Sequence, residues 1–572
     1  MTNINEKSQI DNSKKYKLNF NVFCRGIFFL KLLSLMKILL FRCFILCKWQ
    51  WKKLINNALS SYGKKHAILM FCIGFCNFIA TTPFSVIIIL PLTFGSFFYI
   101  FEERIFENLK SQLLTIFSFL FGYFTSIFWW FFVPLTTDFV HLFWLTPFAI
   151  FGLPLVMACV FIPFFALFIL IWKCFFFKKK EVILSNVGEV FLFLGFLLCW
   201  FFGEYVRGHY IFGGFPWMLF GHFVPYSFAM QSVKFFGIDV YSITFLALIL
   251  ALYLLIFKRY NFYIKHISLI IIAYWILNCL IGGAILCLHS NEEFNKKFDI
   301  NIIASQTNNK ATLYIDDNLA KEILNKNIKI LSILSKSSRP TLMLMPEGSV
   351  NFNIDSGDTL TKYLGRIVPN DNSLLLTSGI DMHGVSPYNV IYAINDGGYI
   401  LDTYKKQKLV PFGEYIPFRR FFPRLTKTIT GVSFDFASDG DNDLFIFYRN
   451  LPIIYPIICY ESIFPDYVKN NIKLSRKKLS NDLTKEYTKQ IGTKTLAERG
   501  EIVVNLTNDA WLKWSVAPYQ HFLMARFLAV ATGLPVVRVS NNGISAFIDH
   551  YGRIIAKTSL NQEDLLLIGR IR

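Results

Sequence analysis

The feature that most constrains this chain is a division near residue 290. From about residue 66 to 288 the sequence is a succession of long apolar runs rich in Phe, Ile and Leu. From about 296 onward it carries charges, turns and short strand-like segments. A segment needs roughly 20 apolar residues to cross a bilayer core. Seven spans are expected, at about 66–81, 83–101, 112–134, 142–172, 186–203, 238–257 and 267–288. The fourth is long enough to tilt, or to break near Pro154 or Pro163. The first half therefore reads as a polytopic α-helical membrane domain, 66–288, and the second as a globular domain, 296–572.

The formal net charge of +20 could suggest nucleic acid, but its placement argues against that class of partner. Residues 1–65 hold thirteen Lys or Arg against only Glu6 and Asp11. Lys173, Lys178, Lys179 and Lys180 follow the fourth apolar run, and Lys258, Arg259 and Lys265 fill the gap between the sixth and seventh. Basic residues in alternate membrane loops fix the cytoplasmic side. With the N-terminus inside, the gap 204–237 and everything after 288 fall outside the cytoplasm. Within the basic extension 1–65, the stretch 20–48 is apolar but interrupted by Arg25, Lys31, Lys37 and Arg42. An interfacial helix on the inner surface suits it better than a span. It shows no cleavage-site pattern, so it is expected to be retained. The chain ends at "LLLIGRIR" without a further apolar run, which implies an outside C-terminus.

The second half alternates strand and helix signals. Apolar runs of strand length lie at 298–305, 341–347, 373–381, 389–395, 451–460 and 501–509, and helical spacing at 317–335 and 518–532. An α/β sandwich follows, with functional residues at strand ends and on the loops beyond them. The polar stretch of about 468–500 reads as an exposed insertion.

Cys459 is one of eleven cysteines and the only one after residue 287. In an oxidising compartment cysteines tend to pair, and this one has no partner in its own domain. Such a thiol is either buried and inert or kept for its nucleophilicity. Two neighbours bear on the choice. Glu347, in "MLMPEGS", directly follows an apolar strand; Lys406, in "YKKQKLVPFGEYIPF", precedes a Pro-Phe-Gly turn with Glu414 on its far side. A cysteine nucleophile needs a base for its proton and a cation or other donor for the oxyanion of a tetrahedral intermediate. Glu347, Lys406 and Cys459 supply one of each.

Glu, Lys and Cys in this order resemble the signature of the nitrilase, or carbon–nitrogen hydrolase, superfamily. The chain is similar to its membrane-embedded branch, the apolipoprotein N-acyltransferases. The resemblance runs through "EYVRGHYIFGGFPW" (204–217), "YNVIYAIN", "YKKQKLVPFGEYIPF", "ICYESIFPD", "NLTNDAWLKWSVAPYQHFLMAR" and "SNNGISAFIDHYGRI". It implies an α-β-β-α nitrilase-like domain with Glu347 as general base, Lys406 as oxyanion lysine and Cys459 as acyl-carrying nucleophile. It also implies supporting roles for Glu414, Tyr460 and Glu461, and a lipid path shaped by Phe215, Pro216 and Trp217. Met345 stands where the family usually has Trp, and "NDAWLK" replaces the usual "NDAWFG".

The implied reaction moves an acyl chain from a membrane phospholipid to Cys459. It then passes to the N-terminal amine of a diacylglyceryl-cysteine apolipoprotein, the last step of bacterial lipoprotein maturation. The implied location is the bacterial inner membrane, with the catalytic domain on the periplasmic side. A membrane-anchored amidase would use the same three residues with water as acceptor. A scaffold or transporter with a degenerate domain would not need them intact. The nine histidines show no ligand-like cluster and no glycine loop cradles a phosphate, so neither metal nor cofactor is expected.

Overall fold

The computed structural model describes residues 55–138, 142–176, 186–257, 262–289, 300–312, 315–352, 354–382, 386–417, 419, 435–438, 445–482, 500–512 and 514–568. The expected interfacial helix at 20–48 lies outside these residues. So do Lys178, Lys179, Lys180, Lys258 and Arg259.

The apolar half forms α1 (Gly63–Phe75), α2 (Ile89–Glu103), α3 (Leu109–Phe128), α4 (Leu153–Phe176), α5 (Asn186–His209), α6 (Val233–Phe257) and α7 (Phe262–Leu288). Among the described residues, five helical stretches are long and apolar enough to cross a membrane: 109–137, 143–175, 187–209, 228–257 and 262–288. The segments expected as the first two spans are shorter. One is α1 with a 3-10 turn, Cys76–Ala80, and the other is the 15-residue α2. Fifteen residues rise only about 22 Å, and Pro83 between the two segments offers no amide N–H to continue a helix. Aromatic rings fill the interior of the bundle: Phe94 meets Phe119 at 5.3 Å and Trp200 at 4.9 Å, and Phe97 stacks on Phe119 at 4.0 Å. Gly74 and Gly122 allow α1 and α3 to approach backbone to backbone, because a Cβ on Gly122 would strike the Phe71 carbonyl. In contrast, α7 exposes Ile270, Ile276, Leu277, Leu280 and Ile281, on several faces. A helix apolar all round suits lipid.

The second half is a sandwich. One sheet has six strands in the order β11-β1-β2-β3-β4-β5, built from β1 (Asn301–Gln306), β2 (Thr341–Leu344), β3 (Leu374–Asp381), β4 (Tyr388–Ile394), β5 (Ile400–Lys405) and β11 (Asp564–Ile568). The other has five in the order β10-β9-β8-β7-β6: β6 (Ile453–Ile458), β7 (Glu501–Thr507), β8 (Val536–Ser540), β9 (Ala546–Ile548) and β10 (Ile554–Lys557). β1, β2 and β3 run parallel, as do β6, β7 and β8, and the outer pairs are antiparallel. Leu342, Leu344 and Leu376 of the first sheet meet Ile458, Val504 and Val539 of the second in one buried core. The outer faces are covered by helices. α8 (Asp317–Leu331) and α9 (Thr359–Gly365) pack on the first sheet, and α10 (Pro465–Asp482) and α11 (Ala517–Thr532) on the second. The layers are α-β-β-α.

The expected insertion at 468–500 differs in its first part. Residues 465–482 form α10, whose Val468, Ile472 and Leu479 sit in the core beneath it while Lys473 and Lys477 face solvent. Helical spacing of these few apolar residues turned a polar stretch into an amphipathic layer. Residues 483–499 lie outside the described set.

The gap expected at 204–237 is also more ordered than a loop. α5 runs on to His209, and short 3-10 turns follow at Ile211–Gly213, Phe220–Phe223 and Phe228–Ser232. These turns reach the sandwich. Tyr415 Oη donates to Phe212 O at 2.9 Å, Trp217 Nε1 to Gln520 Oε1 at 2.8 Å and Gln231 Nε2 to Tyr551 O at 3.0 Å. At the opposite end of the helices, Lys173 Nζ donates to Glu107 O at 2.8 Å.

Candidate active site

Glu347 stands just beyond the end of β2. Pro346 ends the strand because it has no N–H for the ladder, and Gly348 (φ +75°) takes the left-handed turn that follows. Lys406 is the first residue after β5, its amide donating to Asn389 O at 2.8 Å. Cys459 is the first residue after β6. Its φ is +47°, a left-handed conformation that costs a non-glycine residue about 1–3 kcal/mol. This kink ends the strand and turns the chain into the 3-10 turn Cys459–Ile463.

The three side chains, from three strands, converge. Lys406 Nζ lies 3.6 Å from Glu347 Oε1 and 2.7 Å from Glu414 Oε1. Asn389 Nδ2 donates to Glu347 Oε1 at 2.8 Å and to Glu414 Oε1 at 3.2 Å. Glu414 Oε2 accepts from Val410 N at 2.8 Å, so the Pro-Phe-Gly turn is closed by its own carboxylate. Lys406 is buried, while Glu347 and Glu414 each keep a small exposed edge. Cys459 is partly exposed.

Electrostatics follow from burial and the count of charges. Burial raises the Glu347 pKa; Lys406 pulls it back, Glu414 adds to the rise, and the result is above the usual carboxylate value. Burial and then the Glu347 carboxylate raise the Cys459 thiol well above its ordinary value, against Lys406. Burial opposes the Lys406 charge, yet Glu414, Glu347 and Cys459 more than offset it and hold its pKa above normal. Cys459 therefore rests as a thiol beside Glu347 and the Lys406 ammonium. Such a thiol reacts only when a base takes its proton.

Glu461 joins two of these elements. Its carboxylate accepts from Ile458 N at 2.7 Å, just before Cys459, and from Gln407 N at 2.7 Å and Lys408 N at 3.1 Å, just after Lys406. Tyr404 Oη donates to both of its oxygens at 2.9 Å. Tyr460 is buried against Phe464 and Phe215, with its hydroxyl 3.4 Å from Gly214 O.

Phe215, Pro216 and Trp217 are buried rather than presented on an open lipid-facing surface. Arg207 explains their fixed loop. Its guanidinium donates to Phe215 O, Trp217 O and Met218 O at 3.1, 2.9 and 3.4 Å, and Glu204, 3.6 Å away, accepts from Phe220 N at 2.8 Å. Phe215 and Trp217 thus form the wall behind Tyr460 and His521. The exposed aromatics near the site are others. Phe412 meets Phe131 and Phe212, and Trp514 meets Trp129 and Phe132. Phe412, Trp514 and Asn389 lie within quoted motifs but are not singled out there. His521 and Asp509 stand only within longer motifs.

Among the described residues, His209, Asp239 and Asp466 bring three possible metal ligands within 4.8 Å of one another. His209 Nε2 and Asp239 Oδ2 already pair at 2.8 Å.

Residues 73–253 match the family model of the apolipoprotein N-acyltransferase N-terminal domain, and residues 491–572 that of carbon–nitrogen hydrolases. A Rickettsia bellii protein named apolipoprotein N-acyltransferase is 30% identical over 455 residues, covering 77% of this chain and 79% of its own. The chain belongs to the apolipoprotein N-acyltransferase family. Relatives of the same name from Rickettsia typhi, 28% identical over 87% of this chain and 90% of theirs, and from Rhodopseudomonas palustris, 27% over 90% and 91%, extend the similarity across both halves. Membership and the long apolar helices together make this a multi-pass membrane protein.

Proposed function

We propose that this chain transfers an acyl chain from a membrane phospholipid, through a thioester on Cys459, to the N-terminal amine of a diacylglyceryl-cysteine apolipoprotein. The observation that carries the reading is the meeting of Cys459, Glu347 and Lys406 beside a membrane-half loop, in a chain of this family. Glu347 takes the thiol proton as sulfur attacks the ester carbonyl, and Lys406 holds the resulting oxyanion. The carbonyl–oxygen bond then breaks and the proton passes to the departing alkoxide, releasing lysophospholipid. In the second half, Glu347 takes a proton from the neutral amine as it attacks the thioester. The carbon–sulfur bond breaks and the thiolate is reprotonated. Two half-reactions share one covalent intermediate, a ping-pong cycle.

Glu414 sets the Lys406 ammonium, and Glu461 holds the turns that carry Lys406 and Cys459 together. Tyr460, Phe215, Pro216 and Trp217 close the back of the site against water, which protects the thioester until the amine arrives. Phe412 and Trp514, exposed and aromatic, suit the mouth through which acyl chains enter.

The topology proposed has the basic N-terminus inside and the catalytic domain on the periplasmic side of the inner membrane, with α1 and α2 as short spans beside the five long ones. Its support is the contact of Lys173 with Glu107 at one end of the helices and of the 210–231 turns with the sandwich at the other.

The test is to incubate the purified protein with phospholipid and no acceptor, then weigh the peptide containing Cys459. A gain of one acyl chain, released by hydroxylamine and absent in Cys459→Ala, is expected. Fatty acid release without an adduct would point to a hydrolase, and neither adduct nor release would overturn the assignment of Cys459.

A further inference from the structure

Behind Cys459, on the side away from Glu347 and Lys406, lies a closed ring of buried polar groups that the proposed reaction leaves unused. Arg538 donates to Asp509 Oδ2 at 2.5 Å and to Asn505 Oδ1 at 3.0 Å. Asp509 Oδ1 lies 2.9 Å from His521 Nδ1. His521 Nε2 lies 2.9 Å from Ser462 Oγ and 3.2 Å from Cys459 O. Ser462 Oγ is 2.9 Å from that same carbonyl, and Asn505 Nδ2 donates to it at 3.3 Å. Ser462, Asn505, Asp509, His521 and Arg538 are each at most 1% exposed.

Arg538 keeps Asp509 ionised, and its guanidinium also lies 3.2 Å from His521 Nδ1. Nε2 faces the Ser462 hydroxyl and the Cys459 carbonyl together, and Ser462 Oγ donates to that carbonyl. Ser462, His521 and Asp509 have the order of a hydrolytic triad, but a serine with no exposed surface meets no substrate. The ring ends on the Cys459 carbonyl. That carbonyl belongs to the residue with φ +47°, a conformation that relaxes unless its surroundings hold it. Trp217 seals the far side, its ring centroid 5.5 Å from the His521 ring and its indole N–H on neighbouring Gln520.

We propose that His521 is a positioning residue for Cys459: anchored by Asp509, it holds Ser462 and the carbonyl of the kinked nucleophile so that the sulfur stays aimed at Glu347 and Lys406. It touches no substrate. This rests on Cys459 being the acyl-carrying nucleophile.

The test compares His521→Ala and His521→Gln with the wild-type protein in detergent. Gln places an amide where Nε2 stood. Three quantities are read: the single-turnover rate of Cys459 acylation by phospholipid vesicles, its dependence on lipid concentration and pH, and the rate of Cys459 alkylation by iodoacetamide. His521→Ala is expected to slow acylation and alkylation at least tenfold, with the half-saturating lipid concentration within twofold and the acid limb unmoved. His521→Gln should recover most of both rates.

Wild-type rates in folded His521→Ala would overturn the proposal. So would a shift of the acid limb, which would make His521 a proton carrier. Rates that fall in both variants only in proportion to the folded fraction, read by thermal melting, would reduce His521 to a structural part. If the wild-type protein forms no thioester, the functional reading fails instead, and alkylation still decides whether His521 governs the thiol.

Discussion

Two buried ionic clusters flank Cys459, and they differ by one charge. In front, Lys406 faces two carboxylates, Glu347 and Glu414, so full ionisation leaves a net negative charge. Behind, Arg538 faces Asp509 alone, with neutral His521 beside it, and the sum is zero. Burial acts on both. In front it joins Glu414 to hold Glu347 above the usual carboxylate range. Behind, Arg538 and His521 overcome it and hold Asp509 far below. Burial and Arg538 in turn keep the His521 pKa low. A cluster with surplus charge wants a proton and does chemistry; a neutral cluster keeps its protons and holds shape.

Breaking the front cluster has the largest effect on rate. Glu347→Gln keeps the shape but removes the proposed base, and single-turnover acylation of Cys459 should fall by about a hundredfold to ten-thousandfold. Breaking the rear cluster has the largest effect on stability. Asp509→Asn leaves the Arg538 guanidinium buried without a counter-charge and should cost about 3–5 kcal/mol in denaturant unfolding in detergent. If the rear mutation instead abolished acylation at full stability, the division of labour would be wrong.

Two smaller effects sharpen the contrast. Glu414→Gln removes the like charge beside Glu347 and leaves Lys406 to pair with Glu347 alone. Both changes lower the Glu347 pKa, so the acid limb of the acylation rate should move to lower pH even as the rate falls about tenfold. A limb that moves upward would mean Glu414 is not felt as a charge. For the rear cluster the sign is fixed by the depressed Asp509 pKa. Its contribution to stability is complete above the unfolded value of about 3.9 and is lost as pH falls towards the folded value. Thermal melting of the wild-type protein should therefore drop below about pH 4 more steeply than that of Asp509→Asn.

The site was unevenly legible in the sequence. Glu347 and Cys459 each sit at the end of an apolar run of strand length, so their settings were readable one at a time; Lys406 follows Ile400–Lys405, a strand with no such run, and was read only from the Pro-Phe-Gly turn after it. The first strand of the five-stranded sheet was equally plain, but short strands such as Ala546–Ile548 and Ile554–Lys557 were not, because three or four residues carry little periodic signal. The insertion at 468–500 misled because three apolar residues in a lysine-rich stretch are a weak pattern until a sheet lies beneath them. Phe215 and Trp217 read as lining for a lipid path; both are buried, in a loop whose carbonyls Arg207 holds, which no local pattern signals.

What the sequence determined by itself is local or consecutive in kind. Apolar length divides membrane from sandwich, and the order of the motifs around Glu347, Lys406 and Cys459 announces the family. What only the tertiary structure decided is which charges share a low-dielectric space. Glu414 raises Glu347 from 67 residues away, and Trp217 meets Gln520 across a separation of 303 residues. Coulomb and hydrogen-bond energies depend on distance in space and on the loss of water. No pattern along the chain records either one.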